Sequence, residues 1–549
     1  MPGPEPTTNI VDVTSHTPLL PSNDTQQAYG TENGGADELA VSDCSDVELY
    51  DHLRKIPDSL PLTVWLIATI ELCEKFAYFG TTAPLQNYIQ NSRDDPLRPG
   101  GLGLGQAKAT IVNLGFMMWC FVTPLIGAAI SEQYLGRVKT IIFSSIFYIC
   151  GSVVLVFSSI PLVQDIGLSF AALILSLFLI GIGAGGIRAN VVTLVAEQYT
   201  SPKEKIRVLD SGEKVIIDEK LTLQRIVTTF FIYVNIGSFS SLATTAIEKY
   251  HGFTAAFALP LLVFLIGFAI MMASKDRYVS HPPDNSILFN AGRVLWIALK
   301  NRCNLDSARP SYRAEEELVE ILPWDDSFID DLKNTIVSSR VFLLFPFFWA
   351  TYSQCLTNFV SQAGTMETHG IPNDLISIID NISVLILLPT CDRVVLPLLR
   401  RMGAPLRTID RIQVGFMLCG IAMLYTAFVQ RRIYSSPPCY DHPRALDCLD
   451  GRVPNRISVF YQAPSYVLIA ASEVFAAVAG NEYAFATAPK SMKSLVMAIY
   501  LSSVSVGALL AMTVSPLTVD PKLPWMYLTL GVGTIISGSC FHFVRAGGI

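Results

Sequence analysis

The chain has 549 residues, of which 51% are hydrophobic and only 15% charged, with a formal net charge of −7. Its mean hydropathy is +0.43. A soluble protein carries about 25% charged residues, so the composition excludes a string of soluble domains and points to an all-α chain that crosses a bilayer many times. No basic stripe marks a nucleic-acid surface, and the 11 cysteines show no CxxC or Cys/His spacing that would hold a metal.

Residues 1–58 are rich in Pro, Ser, Thr, Asp and Glu and lack long apolar runs, the composition of a disordered tail. They contain no signal-peptide core, so the first spanning helix is expected to target the chain. Twelve apolar runs of spanning length follow, at 61–89, 107–131, 138–160, 167–195, 223–246, 254–273, 339–362, 374–398, 409–429, 460–484, 492–514 and 524–545. The first and fourth are long enough to tilt or to extend past the membrane. A polar stretch between runs six and seven separates two sets of six. The expected organisation is a tail at 1–58, a first bundle at 59–273, a linker at 274–338 and a second bundle at 339–549. Within the linker, residues 287–300 form a candidate interfacial helix.

Lys and Arg set the expected orientation. Arg137 and Lys139, the group Arg400, Arg401, Arg407 and Arg411, and the pair Lys490 and Lys493 all fall on one side. Positive loops face the cytoplasm, so both termini are expected to be cytoplasmic in a multi-pass protein. Cys439 and Cys448 then lie in an outer loop at 430–459, on the oxidising side. A disulfide between them is expected there.

Several runs carry polar groups. In run one, Glu71, Glu74, Lys75 and Tyr78 fall at i, i+3, i+4 and i+7, which puts them on one helical face. Each ionised side chain at a bilayer centre costs roughly 2.5 to 3.5 kcal/mol, so this face must look into protein or a watered cavity. Run four ends in a glycine-rich stretch, Gly181 to Gly186, followed by Arg188. The glycines allow helices to approach closely. Arg188 keeps its proton and calls for Glu71 or Glu74 as partner; the alternative is that it reaches to the inner surface. Asn235 in run five could bond a substrate or a neighbouring helix. Run seven supplies Tyr352, Ser353, Gln354 and Asn358, and run eight Asp380 near its outer third. Run ten holds Glu473 and Glu482, about half a turn out of phase. Glu473 lies deeper and is the better substrate-facing acid. No nucleophile–base constellation appears, which argues against an enzyme and against a cofactor.

Glu71–Gly80, extended through Asn91, resembles the ExxERFxYYG signature of the proton-dependent oligopeptide transporter family of the major facilitator superfamily. Gly183–Tyr199 is similar to that family's GTGGxKxNVxxxxAEQY segment, and Phe231–Ser238 to its FYxxINxGS segment. Residues from Glu473 to Ser494 resemble its helix-ten signature, and Glu132 with Gly136-Arg137 the superfamily loop motif after helix two. The similarity runs in order from about residue 58 to 545, and its nearest likeness is the fungal-type branch, which suits the paired outer cysteines.

This resemblance implies a major facilitator fold, with 12 transmembrane helices in two six-helix bundles rocking about a central cavity, and a proton-coupled symporter that imports di- and tripeptides. Carried over residue by residue, Glu71 and Glu74 take part in proton coupling. Arg188, where the family usually has Lys, pairs with them and holds the peptide carboxylate. Glu473 binds the peptide amine and Asn235 contacts the ligand; from the polar groups of runs one and seven, Tyr78 and Gln354 are added as substrate-binding candidates. The sequence departs from the pattern at Lys75, Phe79, Thr82, Phe121 and Ser353, the last standing where relatives carry a helix-seven acid. Asp380, aligned with a position that is Asn in many relatives, then becomes a fourth proton-coupling candidate. The expected partners are a small peptide, protons and lipid, for a monomer in the plasma membrane. The rival functions are a same-fold transporter of another solute (a modified-peptide metabolite, nitrate or an organic anion) and a non-transporting nutrient receptor.

Overall fold

A bilayer core offers the backbone no water to bond, so a spanning segment satisfies its N–H and C=O groups within a helix. The computed structural model, which describes residues 39–40 and 53–545 except 96–97, 200–204, 209–212, 280–281, 283–286, 316–321, 444, 446 and 452, follows that rule in all 12 expected runs. Among the described residues, the helices of the first six runs come before the linker. They are α1 (Leu62–Gln90), α2 (Gln106–Ile130), α3 (Arg137–Ser158), α4 (Ser169–Glu197), the pair α5 (Glu219–Ser238) and α6 (Ser240–His251), and α7 (Phe253–Ser274). The linker contains α8 (Ile287–Lys300), with the bounds expected from sequence, and α9 (Asp326–Ser338).

Beyond the linker, run seven is broken into α10 (Phe345–Tyr352) and α11 (Asn358–Ala363). Then come α12 (Ile378–Thr390), α13 (Thr408–Tyr434), the pair α14 (Ala463–Ser472) and α15 (Val478–Thr487), α16 (Lys493–Val514) and α17 (Leu523–Arg545). Among the described residues, 8 helices are long and apolar enough to cross a membrane, and a pair bent by 43° at run seven makes a ninth. The remaining runs, at 61–89, 223–246 and 524–545, are helical and lie outside that set. In α1 the reason is visible, since Glu71, Glu74 and Lys75 interrupt it.

Contacts divide the chain into two units, Met1–Leu60 with Tyr199–Thr228, and Pro61–Gln198 with Thr229–Ile549. The smaller unit holds a four-stranded sheet, ordered β1 (Leu39–Ala40), β3 (Lys205–Val208), β4 (Lys214–Ile217), β2 (Lys55–Ile56). Strand β2 runs parallel to β4, and β3 antiparallel to it. The tail expected to be unstructured to residue 58 is therefore ordered at 55–58, where the Asp58 N–H donates to Thr222 Oγ1 at 2.9 Å and the Asp58 carboxylate meets Arg207 at 3.3 Å. The expectation for the rest of the tail lies largely outside the described residues.

In the larger unit, small residues set the helix spacing. A Cβ on Gly183 would stand 2.7 Å from the Ser144 carbonyl oxygen, and one on Gly127 2.8 Å from the Cα of Gly186. Helices α2 and α3 thus close directly on α4 and fix the depth of Arg188. Aromatic contacts lock the same region, with Tyr148 stacked on Phe264 at 4.2 Å. Outward-facing side chains such as Phe143, Phe147, Phe178, Leu262 and Ile386 are exposed apolar surface, which suits helices facing lipid. Both ends of the larger unit carry structure. At one, the linker packs Ala291, Val294, Trp324, Ile329 and Leu332 against Met492 and Leu495. At the other, a disulfide joins Cys439 to Cys448, and Asn455 Nδ2 donates to the carbonyls of Ile433 and Tyr440 at 2.8 Å. These are called below the linker face and the disulfide face.

Candidate functional site

The i, i+3, i+4 spacing of run one does form a single cluster. Lys75 Nζ stands 2.9 Å from Glu71 Oε1 and 2.6 Å from Glu74 Oε2. Arg188 Nε of α4 reaches Glu74 Oε1 at 3.2 Å. The four side chains form a chain of alternating charge, Glu71–Lys75–Glu74–Arg188, with no net charge. Glu71 and Glu74 are 3% and 0% exposed. Of the two acids named as possible partners for Arg188, the structure selects Glu74. Glu74 meets two cations and Glu71 only one, and Glu71 Oε2 has no hydrogen-bond partner among the described residues. Tyr78 completes this wall, with its ring under the Arg188 guanidinium at 3.9 Å. That arrangement orients the fork of the guanidinium as well as contributing cation–π attraction.

The second half brings together Tyr352, Asp380 and Glu473. Tyr352 Oη donates to Glu473 Oε2 at 2.9 Å. Asp380 is buried, near enough to Glu473 for their charges to interact, and its Oδ1 has no hydrogen-bond partner among the described residues. Glu473 opens a π-helical turn, Glu473–Ala477, between α14 and α15. Such a bulge is a common device for re-aiming side chains at functional positions. Glu482 does not join this group; it pairs with Arg411 at 2.7 Å and is half exposed.

The other sequence candidates fall elsewhere. Gln354 is buried with its amide already engaged: Nε2 donates to the Ala350 carbonyl at 2.8 Å, and Oε1 accepts from Asn358 Nδ2 at 2.6 Å. These bonds tie Gln354 into the packing of run seven and leave one N–H and one lone pair of its amide unused by them. Ser353 bonds the Ala350 carbonyl at 2.9 Å and adds no charge. Asn235 is half-buried near the end of α5.

A polar seam that the sequence did not single out joins the two halves at the disulfide face. Asn87 and Asn373 exchange amide hydrogen bonds at 3.0 and 2.9 Å. Gln86 Nε2 donates to Ser361 Oγ at 3.1 Å, and Ser361 bonds Gln90. Gln106 Nε2 and Thr110 Oγ1 both reach Asn358 Oδ1, at 2.8 and 3.2 Å. Among the described residues, Ser505 Oγ also donates across the halves, to the Met118 carbonyl at 3.2 Å. The described arrangement is closed at the disulfide face. A signal for the seam existed: Gln86, Asn87, Gln90 and Asn91 are a polar stripe in an apolar run. Only the other half's Asn373 and Ser361 give that stripe its role.

Comparison with known proteins follows this geometry. A family profile described as the POT family matches residues 138–527. The chain is 41% identical over 499 residues to the probable peptide transporter ptr2 of Schizosaccharomyces pombe, covering 90% of this chain and 80% of that one. It is 58% identical over 305 residues to the peptide transporter imqJ of Aspergillus flavus, covering 56% and 60% of the two chains. Among solved structures, the POT family transporter PepTSo superposes with a TM-score of 0.70 at 20% identity, over 89% of this chain and 99% of that one.

Proposed function

Because the chain belongs to the POT family, we propose that it is a proton-coupled symporter that imports di- and tripeptides by alternating access. Its 12 helical runs form two six-helix bundles, in a monomer of the plasma membrane with both termini in the cytoplasm. The observation that carries the proposal is the buried neutral chain Glu71–Lys75–Glu74–Arg188, since a buried network of no net charge changes charge with each proton it accepts.

Glu71 is the acid with a carboxylate oxygen to spare, so it is the point of proton entry. A proton there releases Lys75 toward Glu74, and Glu74, now shared more with Lys75, loosens its hold on Arg188. The guanidinium then takes the peptide carboxylate in its planar fork, held in plane by Tyr78. At the opposite wall, Glu473 and its partner Tyr352 receive the peptide ammonium, and Asp380 supplies the second carboxyl that Ser353 lacks. Asn235 serves as a further ligand contact. The peptide's own two charges thereby replace pairings that each half makes internally. This differential gain is what a ligand needs to shift a conformational equilibrium. A membrane potential of 100 mV adds about 2.3 kcal/mol per transported charge.

The test is dipeptide uptake by the purified protein in proteoliposomes under an imposed inward proton gradient. Peptide accumulation that collapses with a protonophore supports the proposal. Peptide movement indifferent to the gradient, or competition by nitrate in place of dipeptides, would refute it.

A further inference from the structure

Away from the central site, a cavity of about 500 Å³ opens at the disulfide face, lined by both halves. Glu248 is part of its lining, and Asp374 follows the lining residue Asn373. Glu248, near the end of α6, is 2% exposed, and Asp374, just before α12, is 1% exposed. Glu248 Oε1 accepts from Asn87 Nδ2 at 3.0 Å. Glu248 Oε2 and both oxygens of Asp374 have no donor of good hydrogen-bond geometry among the described residues, the nearest N–H groups to Asp374 being the backbone amides of Asp374 and Leu375; the two carboxyl groups are close enough to share a proton. Two carboxylates in contact and out of water cannot both stay ionised, and one proton between them supplies the missing donor.

Among the described residues no cation is in direct ion-pair contact with either carboxyl. On α6, Lys249 donates to the Gly370 carbonyl and is not ion-paired with either carboxyl, although its charge acts on Asp374 from a distance, and His251 is exposed. From the first loop of this face, Arg93 is exposed, Asp95 lies 3.8 Å from Arg98, and Arg98 also donates to the Gly451 carbonyl at 3.3 Å. From α1, Tyr88 gives its hydroxyl to the Ser158 carbonyl at 2.7 Å. His369, ahead of α12, is engaged with Ser458 at 3.0 Å. Helix α7 brings no titratable side chain along Phe253–Ser274.

We propose that Glu248 and Asp374 form a second proton-binding site, one that latches the outer face of the transporter shut and is distinct from the protons carried with peptide. Glu248 belongs to the first half and Asp374 to the second, so the site exists only while the halves meet. When they part, both carboxyls reach the outer solution and the shared proton leaves to water. Two anions then repel on reclosure until one proton is regained from outside. Each closure therefore takes up one proton and each opening returns it to the same side. External acid holds the outer face closed, and the proton-to-peptide ratio does not change. The Asn87–Asn373 amide exchange beside the pair gives the latch its register.

The inference rests on the transporter reading only in requiring that the halves separate, and its test needs no substrate, so either can fail alone. Spin labels are placed on the exposed outer positions by Tyr250→Cys and His369→Cys, with Cys150, Cys303 and Cys540 replaced by Ser. Distances are read by pulsed electron resonance in lipid nanodiscs between about pH 5 and 8. A closure that binds one proton makes the ratio of short to long distances fall by up to about tenfold per pH unit. In Glu248→Gln the amide can donate to Asp374 and still accept from Asn87, so the short distance persists and the pH dependence disappears. Asp374→Asn, which can donate in the other direction, repeats that result. A flat profile in the labelled parent, or a parent-like slope in either variant, overturns the proposal. So does a slope abolished by His251→Ala, since that assigns the titration to the histidine.

Discussion

Replacing Glu74 by Gln mimics a permanent proton on the acid that holds both cations. Arg188 at 3.2 Å and Lys75 at 2.6 Å each interact with the Glu74 charge by about 5 to 6 kcal/mol at an effective dielectric of about 20. Breaking one partner out of a buried pair costs roughly 3–5 kcal/mol once relaxation is allowed. Moving a two-state equilibrium from 1:99 to 99:1 takes about 5.5 kcal/mol, so the charge on this one residue is large enough to set which state Arg188 occupies. Glu74→Gln is expected to reach the membrane and to exchange labelled against unlabelled dipeptide. It is expected to lose accumulation above the external concentration when a proton gradient is imposed. Both are measured on the same proteoliposomes, with surface labelling as the control for expression. Acid-driven accumulation at the parent level would show that Glu74 does not link proton and Arg188, and would refute the charge-chain argument. Loss of exchange as well would mean that the residue only holds the helices together.

Glu473→Gln is expected to weaken competition by peptides with free amino termini by about 10- to 150-fold, the value of a charge-assisted hydrogen bond of roughly 1.5–3 kcal/mol; N-acetylated peptides should compete as before. Asp380→Asn should flatten the pH dependence of uptake while leaving exchange in place, and an unchanged profile would remove Asp380 from the coupling set. Cys439→Ser opens a small loop whose closure contributes about 3 kcal/mol in the chain-entropy picture. The expected result is a lower unfolding temperature with peptide affinity unchanged, read by a thermal-shift assay with and without dipeptide. In the linker, hydrogen bonds from Lys333 and Arg309 hold the Asp306 carboxyl below its ordinary value of 3.8. The stabilisation is therefore complete above that value and is lost as pH falls through the lowered one. Hydrogen exchange in α9 should be insensitive to pH, beyond its intrinsic rate, from neutrality down to about pH 4, and Asp306→Asn should raise it throughout.

Much of the fold was legible in the residues because the bilayer imposes a strong local rule. Any run that crosses it must be apolar and helical, so the helices appear where composition places them, including α8 at Ile287–Lys300. The charged cluster of run one was legible for the opposite reason. Glu71, Glu74 and Lys75 violate that rule on one helical face, and the penalty for doing so demands partners. What the sequence left open, the tertiary structure decided through contacts between distant segments. Arg188 could pair with either acid; the close packing of α2 and α3 on the glycines of α4 sets it beside Glu74. Gln354 looked like a cavity residue, but the turn that breaks run seven directs its amide to Ala350 and Asn358. Glu248 and Asp374 sit at the ends of their runs, where a charged residue next to water arouses no suspicion. Only the closing of the two halves over Asn87 and Asn373 buries them against each other. Hydropathy and helical phase are properties of a single segment and can be read along the chain, whereas the burial of a charge and the identity of its partner depend on which segments meet.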